Sequence, residues 1–161
     1  MVAQKQIVQV SDAKLSRCPE DVLATYSLGS CIGVCVYDPV VCIGGLLHYQ
    51  LPSSQIDPAK SQKNPFMFAD SGMLWLMKNM LCAGARTKRI QVKIAGGATM
   101  QGGPNGFEIG KRNILAIRKI AWKHRLFIEG EDVGGTSPRH MSLTMANGEV
   151  MIKSNGTNNI L

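Results

Sequence analysis

The stretch from Cys31 to Tyr49 constrains the fold more than any other part of the chain. Ile32, Val34 and Val36 alternate with Cys31, Gly33, Cys35 and Tyr37, and Asp38-Pro39 then supplies a turn signal. Beyond the turn, Val41, Ile43, Leu47 and Tyr49 share one parity, and Cys42, Leu46 and His48 share the other. A period of two on both arms marks a β-hairpin, because successive side chains of a strand point to opposite faces. Centring the turn on Pro39-Val40 pairs Asp38 with Val41, Tyr37 with Cys42 and Cys31 with His48. One face is then uniformly apolar (Ile32, Val34, Val36, Val41, Ile43, Leu47) and anchors the hairpin to a core. The other face carries a thiol beside an imidazole. Directly opposed residues in an antiparallel pair have Cβ atoms about 4.5–5.5 Å apart, within reach of a hydrogen bond. A slip of one residue would put the two groups on opposite faces.

That pair points to nucleophilic chemistry. Only a thiolate attacks a carbonyl carbon well, and an adjacent imidazole can take the thiol proton and later return it to a leaving amine. Gly29-Ser30, just before Cys31, permits a tight turn that exposes the sulfur and aims main-chain N–H groups at a developing oxyanion. Thr25 and Ser27 share the parity of Cys31 and are placed to supply an orienting hydroxyl, and Ser27 and Ser30 are candidates for holding the oxyanion or positioning substrate. Asp38 and Asp57 are the nearby carboxylates, with no comparable placement argument. A buried cysteine is also an inert small hydrophobe in many cores, and a lone histidine is often structural. Spacing alone leaves both readings open.

The remaining pattern predicts strands over 5–10, 22–28, 89–95, 126–131, 141–145 and 150–153, with a polar turn region after the first. A helix is predicted over 64–84, capped by Asn64 or Asp70 and carrying Leu74, Met77, Leu81 and Gly84 on one face. A second helix is predicted over 109–124, with Ile114, Ile117, Ala121 and His124 on one face. Residues 101–106 read as a loop, and 154–161 as a frayed tail. Helices do not alternate regularly with strands, so the class is α+β, in one domain over 1–161. The Met67, Met73, Met77 and Met80 set reads as core, as do Cys35, Cys42 and Cys82. His124 falls at a helix C-terminus and His140 in a loop.

Composition narrows the function. The chain of 161 residues carries a net charge of +7, which favours acidic partners. Aromatic residues make up only 6% and the basic residues are dispersed, with Arg86-Thr87-Lys88-Arg89 and Lys111-Arg112 the densest groups, which argues against nucleic acid. Residues 106–112 fall short of a P-loop. Five cysteines without a leader segment read as free thiols. A zinc site on Cys31, Cys35, Cys42 and His48 is disfavoured, because in a strand Cys31 and Cys35 lie about 13 Å apart. No apolar run approaches a membrane span, and a cytoplasmic protein is expected.

The run Thr25-Tyr26-Ser27-Leu28-Gly29-Ser30-Cys31, followed by Gly45-Leu46-Leu47-His48-Tyr49-Gln50-Leu51-Pro52, resembles the CheD family of chemoreceptor glutamine deamidases. Phe68-Ala69-Asp70, Lys93-Ile94-Ala95-Gly96-Gly97-Ala98, Ile109-Gly110-Lys111-Arg112-Asn113 and Glu131-Asp132-Val133-Gly134-Gly135 extend the match in the family's order. The resemblance implies Cys31 as nucleophile, His48 as the catalytic histidine and Thr25 as the catalytic threonine, with no metal or organic cofactor. It implies a layered, β-sandwich-like core with helices outside, similar to bacterial toxin deamidases. It also implies conversion of glutamine to glutamate on chemoreceptor cytoplasmic helices through a thioester, and binding to a CheC-type phosphatase. The alternative is a non-catalytic module that docks on those helices. Two departures stand out: Ser27 where relatives often have glycine, and Pro138 where a small residue usually precedes the arginine.

Overall fold

In the computed structural model, which describes residues 4–100 and 108–161, ten strands form two five-stranded sheets and two of the three α-helices, the second and third, cover one of them. The strands are β1 (Lys5–Ile7), β2 (Asp12–Ser16), β3 (Val22–Leu28), β4 (Ile32–Asp38), β5 (Ile43–Tyr49), β6 (Gln91–Gly96), β7 (Phe127–Val133), β8 (Arg139–Thr144), β9 (Glu149–Ser154) and β10 (Thr157–Ile160). The helices are α1 (Pro58–Lys63), α2 (Ala69–Cys82) and α3 (Ile109–Lys123). One sheet runs β1-β3-β8-β9-β10 and the other β2-β5-β4-β6-β7. All pairings are antiparallel except β1 with β3 and β6 with β7. The second exception is a βαβ unit, since α3 carries the chain from β6 back to β7. The α+β class holds. The loop expected over 101–106 lies outside the described residues, and the strand expected over 5–10 is the shorter β1.

The β4–β5 hairpin is the shared wall of two cores, which explains why both its faces are buried. Ile32, Val34, Val36, Ile43, Leu47 and Tyr49 face the helices and pack on Met73, Leu76, Met80, Ile114 and Ile117. Cys35, Tyr37 and Leu46 face the other sheet and meet Leu23, Leu28, Met141, Leu143 and Ile152. Leu23, Leu28, Leu46 and Leu47 are wholly inaccessible, and each such side chain stabilises the fold by about 1.5–3 kcal/mol. Gly33 faces this inter-sheet layer because nothing larger fits: a Cβ there would lie 2.8 Å from Met141 Sδ and 2.9 Å from a Leu28 methyl.

Several expectations are corrected. The hairpin closes through a four-residue connection, Pro39–Cys42, so Asp38 pairs with Ile43 and Gly33 opposes His48. The expected opposition of Cys31 and His48 is therefore displaced by two residues, which preserves the face each occupies. The helix expected over 64–84 is a turn of 3-10 helix at Pro65–Met67 followed by α2, with Asn64 accepting from Phe66 N–H as the cap of the first piece. Its buried stripe is Ala69, Gly72, Met73, Leu76 and Met80, while Leu74 and Leu81 are exposed. Cys42 and Cys82 are exposed rather than core, and His140 lies in β8 rather than a loop. The polar segment 12–16 is a strand, and the expected frayed tail is β10, paired along its length with β9.

Candidate active site

Three of the candidate residues converge where the two sheets meet. Thr25 comes from β3 in one sheet, and His48 from β5 in the other; each is only 1% exposed. Thr25 Oγ1 lies 2.7 Å from His48 Nδ1 and 2.7 Å from the Val8 carbonyl oxygen. A threonine hydroxyl has one hydrogen, and the Val8 carbonyl can only accept. The hydroxyl therefore donates to Val8 and accepts from His48 Nδ1–H. This fixes the tautomer: His48 Nε2 carries the lone pair. That nitrogen is buried and has no hydrogen-bond partner among the described residues.

Burial pushes the His48 pKa down from 6.5 to about 4, so the ring is neutral near pH 7. The one opposing influence is the carboxylate of Asp12, whose residue pairs with His48 across β2–β5 and favours the charged ring. Sequence reasoning missed Asp12 because it lies in the polar strand that periodicity did not reveal. Asp38 and Asp57 are elsewhere: Asp38 binds Arg89 at the turn end of the hairpin, and Asp57 caps α1.

Cys31 is half-buried, one residue before β4, and packs against the inter-sheet core. Continuing the β4–β5 register would set it opposite Gln50, making His48 its diagonal neighbour at about 7–8 Å between backbones. Among the described residues no hydrogen bond joins the thiol to His48. Burial raises the thiol pKa, partly countered by its own backbone N–H. The resting pair is thus a neutral thiol and a neutral imidazole, not a preformed ion pair.

The Gly29–Cys31 segment is held from outside. Gly97 N–H donates to Cys31 O (2.9 Å) and Ala98 N–H to Gly29 O (2.8 Å). Gly96 adopts φ +110, and a Cβ there would lie 2.2 Å from Cys31 O, so this approach requires glycine. Arg139, only 7% exposed, fixes the same region by donating to the Gly96 and Gly134 carbonyls and pairing with Asp132. Pro138 therefore leaves Arg139 pointing inward.

Ser27 is not part of the buried group. A bulge between Thr25 and Leu28 inserts an extra residue, so both of those stay inside while Tyr26 and Ser27 are exposed. Ser27 sits at φ +57, and its N–H donates to His140 Nδ1 at 3.1 Å. Ser30 is half-buried, and among the described residues neither its N–H nor that of Cys31 donates to another residue. Among those residues, no group of three or more His, Cys, Asp or Glu is arranged to hold a metal, and no helix is long and apolar enough to cross a membrane.

Comparison with known proteins bears on this arrangement. The family described as CheD chemotactic sensory transduction matches residues 50–154. A protein of Solibacter usitatus named probable chemoreceptor glutamine deamidase CheD is 49% identical over 150 residues, covering 93% of this chain and 89% of that protein. A protein of Syntrophus aciditrophicus with the same description is 46% identical, over 93% of this chain and 94% of its own. One from Syntrophotalea carbinolica is 40% identical over 152 residues, at the same coverage. A solved Neisseria meningitidis structure of the DUF152 family aligns with 82% of this chain and 62% of that one, at 10% identity and a TM-score of 0.44. With such identities to relatives over almost their whole length, and the family match to most of its sequence, this chain belongs to the CheD family.

Proposed function

We propose that this protein deamidates glutamine side chains on the cytoplasmic helices of chemoreceptors, with Cys31 as nucleophile, His48 as base and acid, and Thr25 as the group that orients His48. The observation that carries this reading is His48 Nε2: a lone pair fixed by the Thr25–Val8 relay, buried, and without a partner among the described residues. An unpaired buried acceptor costs about 1–3 kcal/mol, which a purely structural histidine has no reason to bear.

The steps follow from the neutral resting pair. As Cys31 Sγ attacks the side-chain carbonyl carbon of glutamine, His48 Nε2 takes the thiol proton. The anionic tetrahedral species is met by the N–H groups of Ser30 and Cys31, which among the described residues donate to no other residue. The imidazolium, favoured by Asp12, returns its proton to the departing nitrogen, releasing ammonia and leaving a thioester. His48 Nε2 then deprotonates a water that attacks the thioester, and the proton it holds goes back to sulfur as glutamate is released. Thr25 keeps Nε2 facing the chemistry throughout.

A location in the cytoplasm, where those receptor helices lie, follows from the reading. So does a CheC-type phosphatase as partner, and the +7 charge supports attraction to acidic surfaces. The test is mass spectrometry of a receptor cytoplasmic fragment after incubation. A gain of about 1 Da at glutamine is expected with the native chain, and Cys31→Ala should reduce the rate at least about 1000-fold, typical for loss of a nucleophile. Binding of the fragment with no mass change from the native chain would overturn catalysis in favour of a docking module.

A further inference from the structure

The β4–β5 ladder ends at Ile32–Tyr49, one step short of Cys31 and one step beyond His48. Past that point the two chains part company. Gln50 and Leu51 turn their N–H groups to Met67 O, while Gly29 and Cys31 offer their carbonyls to Ala98 and Gly97. The candidate nucleophile and base thus sit at the mouth of a splayed hairpin, where no ladder bond sets their separation.

Asn113, in the second turn of α3, spans that mouth. Its Nδ2 donates to Ser30 O at 2.9 Å and to Gln50 O at 2.8 Å. Both hydrogens of the amide are spent on carbonyls, one on each arm, and this fixes the orientation of the group. The residue is fully buried, and its own backbone carbonyl accepts from Tyr49 Oη at 2.6 Å, beside His48 in sequence. The helix is seated firmly: a Cβ on Gly110 would lie 2.5 Å from the carbonyl oxygens of Gly97 and Ala98. Asn113 Oδ1, meanwhile, is buried without a partner among the described residues. The molecule bears that cost to keep an uncharged group with two donors at this point, which serine or threonine cannot supply.

We propose that Asn113 is a positioning residue that fixes the distance between Cys31 and His48 by bridging Ser30 and Gln50 at the open end of the hairpin. The proposal rests on reading Cys31 and His48 as a nucleophile–base pair. Without the bridge the two arms drift, and a displacement of about 1 Å between reacting groups can cost 100-fold in rate.

The test compares Asn113→Ala, and the milder Tyr49→Phe, with the native chain by thermal melting, by kcat and KM on a receptor fragment, and by NMR titration of His48. Asn113→Ala should lower kcat at least tenfold with KM within twofold, and the His48 titration should move up toward the ordinary histidine range as water enters the loosened mouth. Tyr49→Phe should shift both readouts in the same direction, with kcat down about threefold, and decides the matter if Asn113→Ala does not fold. Turnover within twofold of native, or a loss of kcat with the His48 titration unmoved, overturns the proposal. If the native chain leaves the fragment unmodified, the proposed function fails instead. The titration, which needs no substrate, still supports or overturns the bridge.

Discussion

The two ends of the β4–β5 hairpin treat a buried ionisable group in opposite ways. At the turn end, Asp38 is wholly inaccessible and saturated: it accepts from Val40 N–H, Arg86 N–H and the Arg89 guanidinium. Burial alone would raise its pKa, but Arg89 and the two backbone donors outweigh that and hold it below the ordinary carboxylate value of 3.8. At the open end, His48 is equally inaccessible, yet among the described residues only one of its ring nitrogens is bonded. Burial there goes unopposed except by Asp12. The same strands therefore carry a charge that is fully neutralised and a base that is left wanting a proton. Satisfaction secures the fold at one end, and its absence makes reactivity available at the other.

Acid should separate the two ends most clearly. The folded pKa of His48, about 4, lies below its unfolded value of 6.5, so the unfolded chain takes up a proton first as pH falls. The stability tied to neutral His48 is complete above pH 6.5 and is lost toward pH 4, a change of about 3 kcal/mol. Asp38 is also depressed, but its contribution is present above 3.8 and is lost only below that. Urea unfolding at pH 7, 5, 4 and 2.5 should show one loss between pH 7 and 4 and a second below pH 4, and His48→Gln should remove the first while sparing the second. An unchanged pH 7-to-5 difference in His48→Gln would break the comparison.

Arg89→Ala should cost about 2–3 kcal/mol at pH 7, at the lower edge of the range for breaking a buried pair, because two backbone N–H groups still serve Asp38. Turnover of the folded variant at low temperature should equal that of the native chain, since the change lies at the far end of the hairpin. A parallel loss of kcat would show that the two ends are coupled. The smallest effect is expected at the bulge beside Thr25. Ser27 occupies a left-handed conformation that disfavours a side chain, so Ser27→Gly should stabilise by about 0.5–1 kcal/mol, read as a higher melting temperature.

How much of this was legible in the sequence differs by element. The hairpin's two faces were readable because alternation fixes side-chain parity. Its register was not, because Asp38-Pro39 suits a two-residue or a four-residue connection equally. The displacement by an even number of positions kept Cys31 and His48 on one face, and a displacement by an odd number would not have. The buried stripe of α2 was misread because Ala69 and Gly72 carry little hydropathy, yet Gly72 is where Leu47 approaches closest, at 3.0 Å from a would-be Cβ. Strands β2 and β10 lie at sheet edges and are polar, so only their pairing reveals them. Ser27 was misplaced by assuming unbroken alternation across a bulge. The union of Thr25 with His48 is a contact between sheets, which local pattern cannot encode, and here the family motif supplied what periodicity could not.

Because the hydroxyl that aims the imidazole hangs from one sheet and the imidazole from the other, competence is a property of the closed sandwich and of neither half. A chain with every strand formed but its layers apart would hold a thiol and a ring with nothing to set their orientation. On the proposed mechanism, such a chain falls silent once its layers part, before its secondary structure melts.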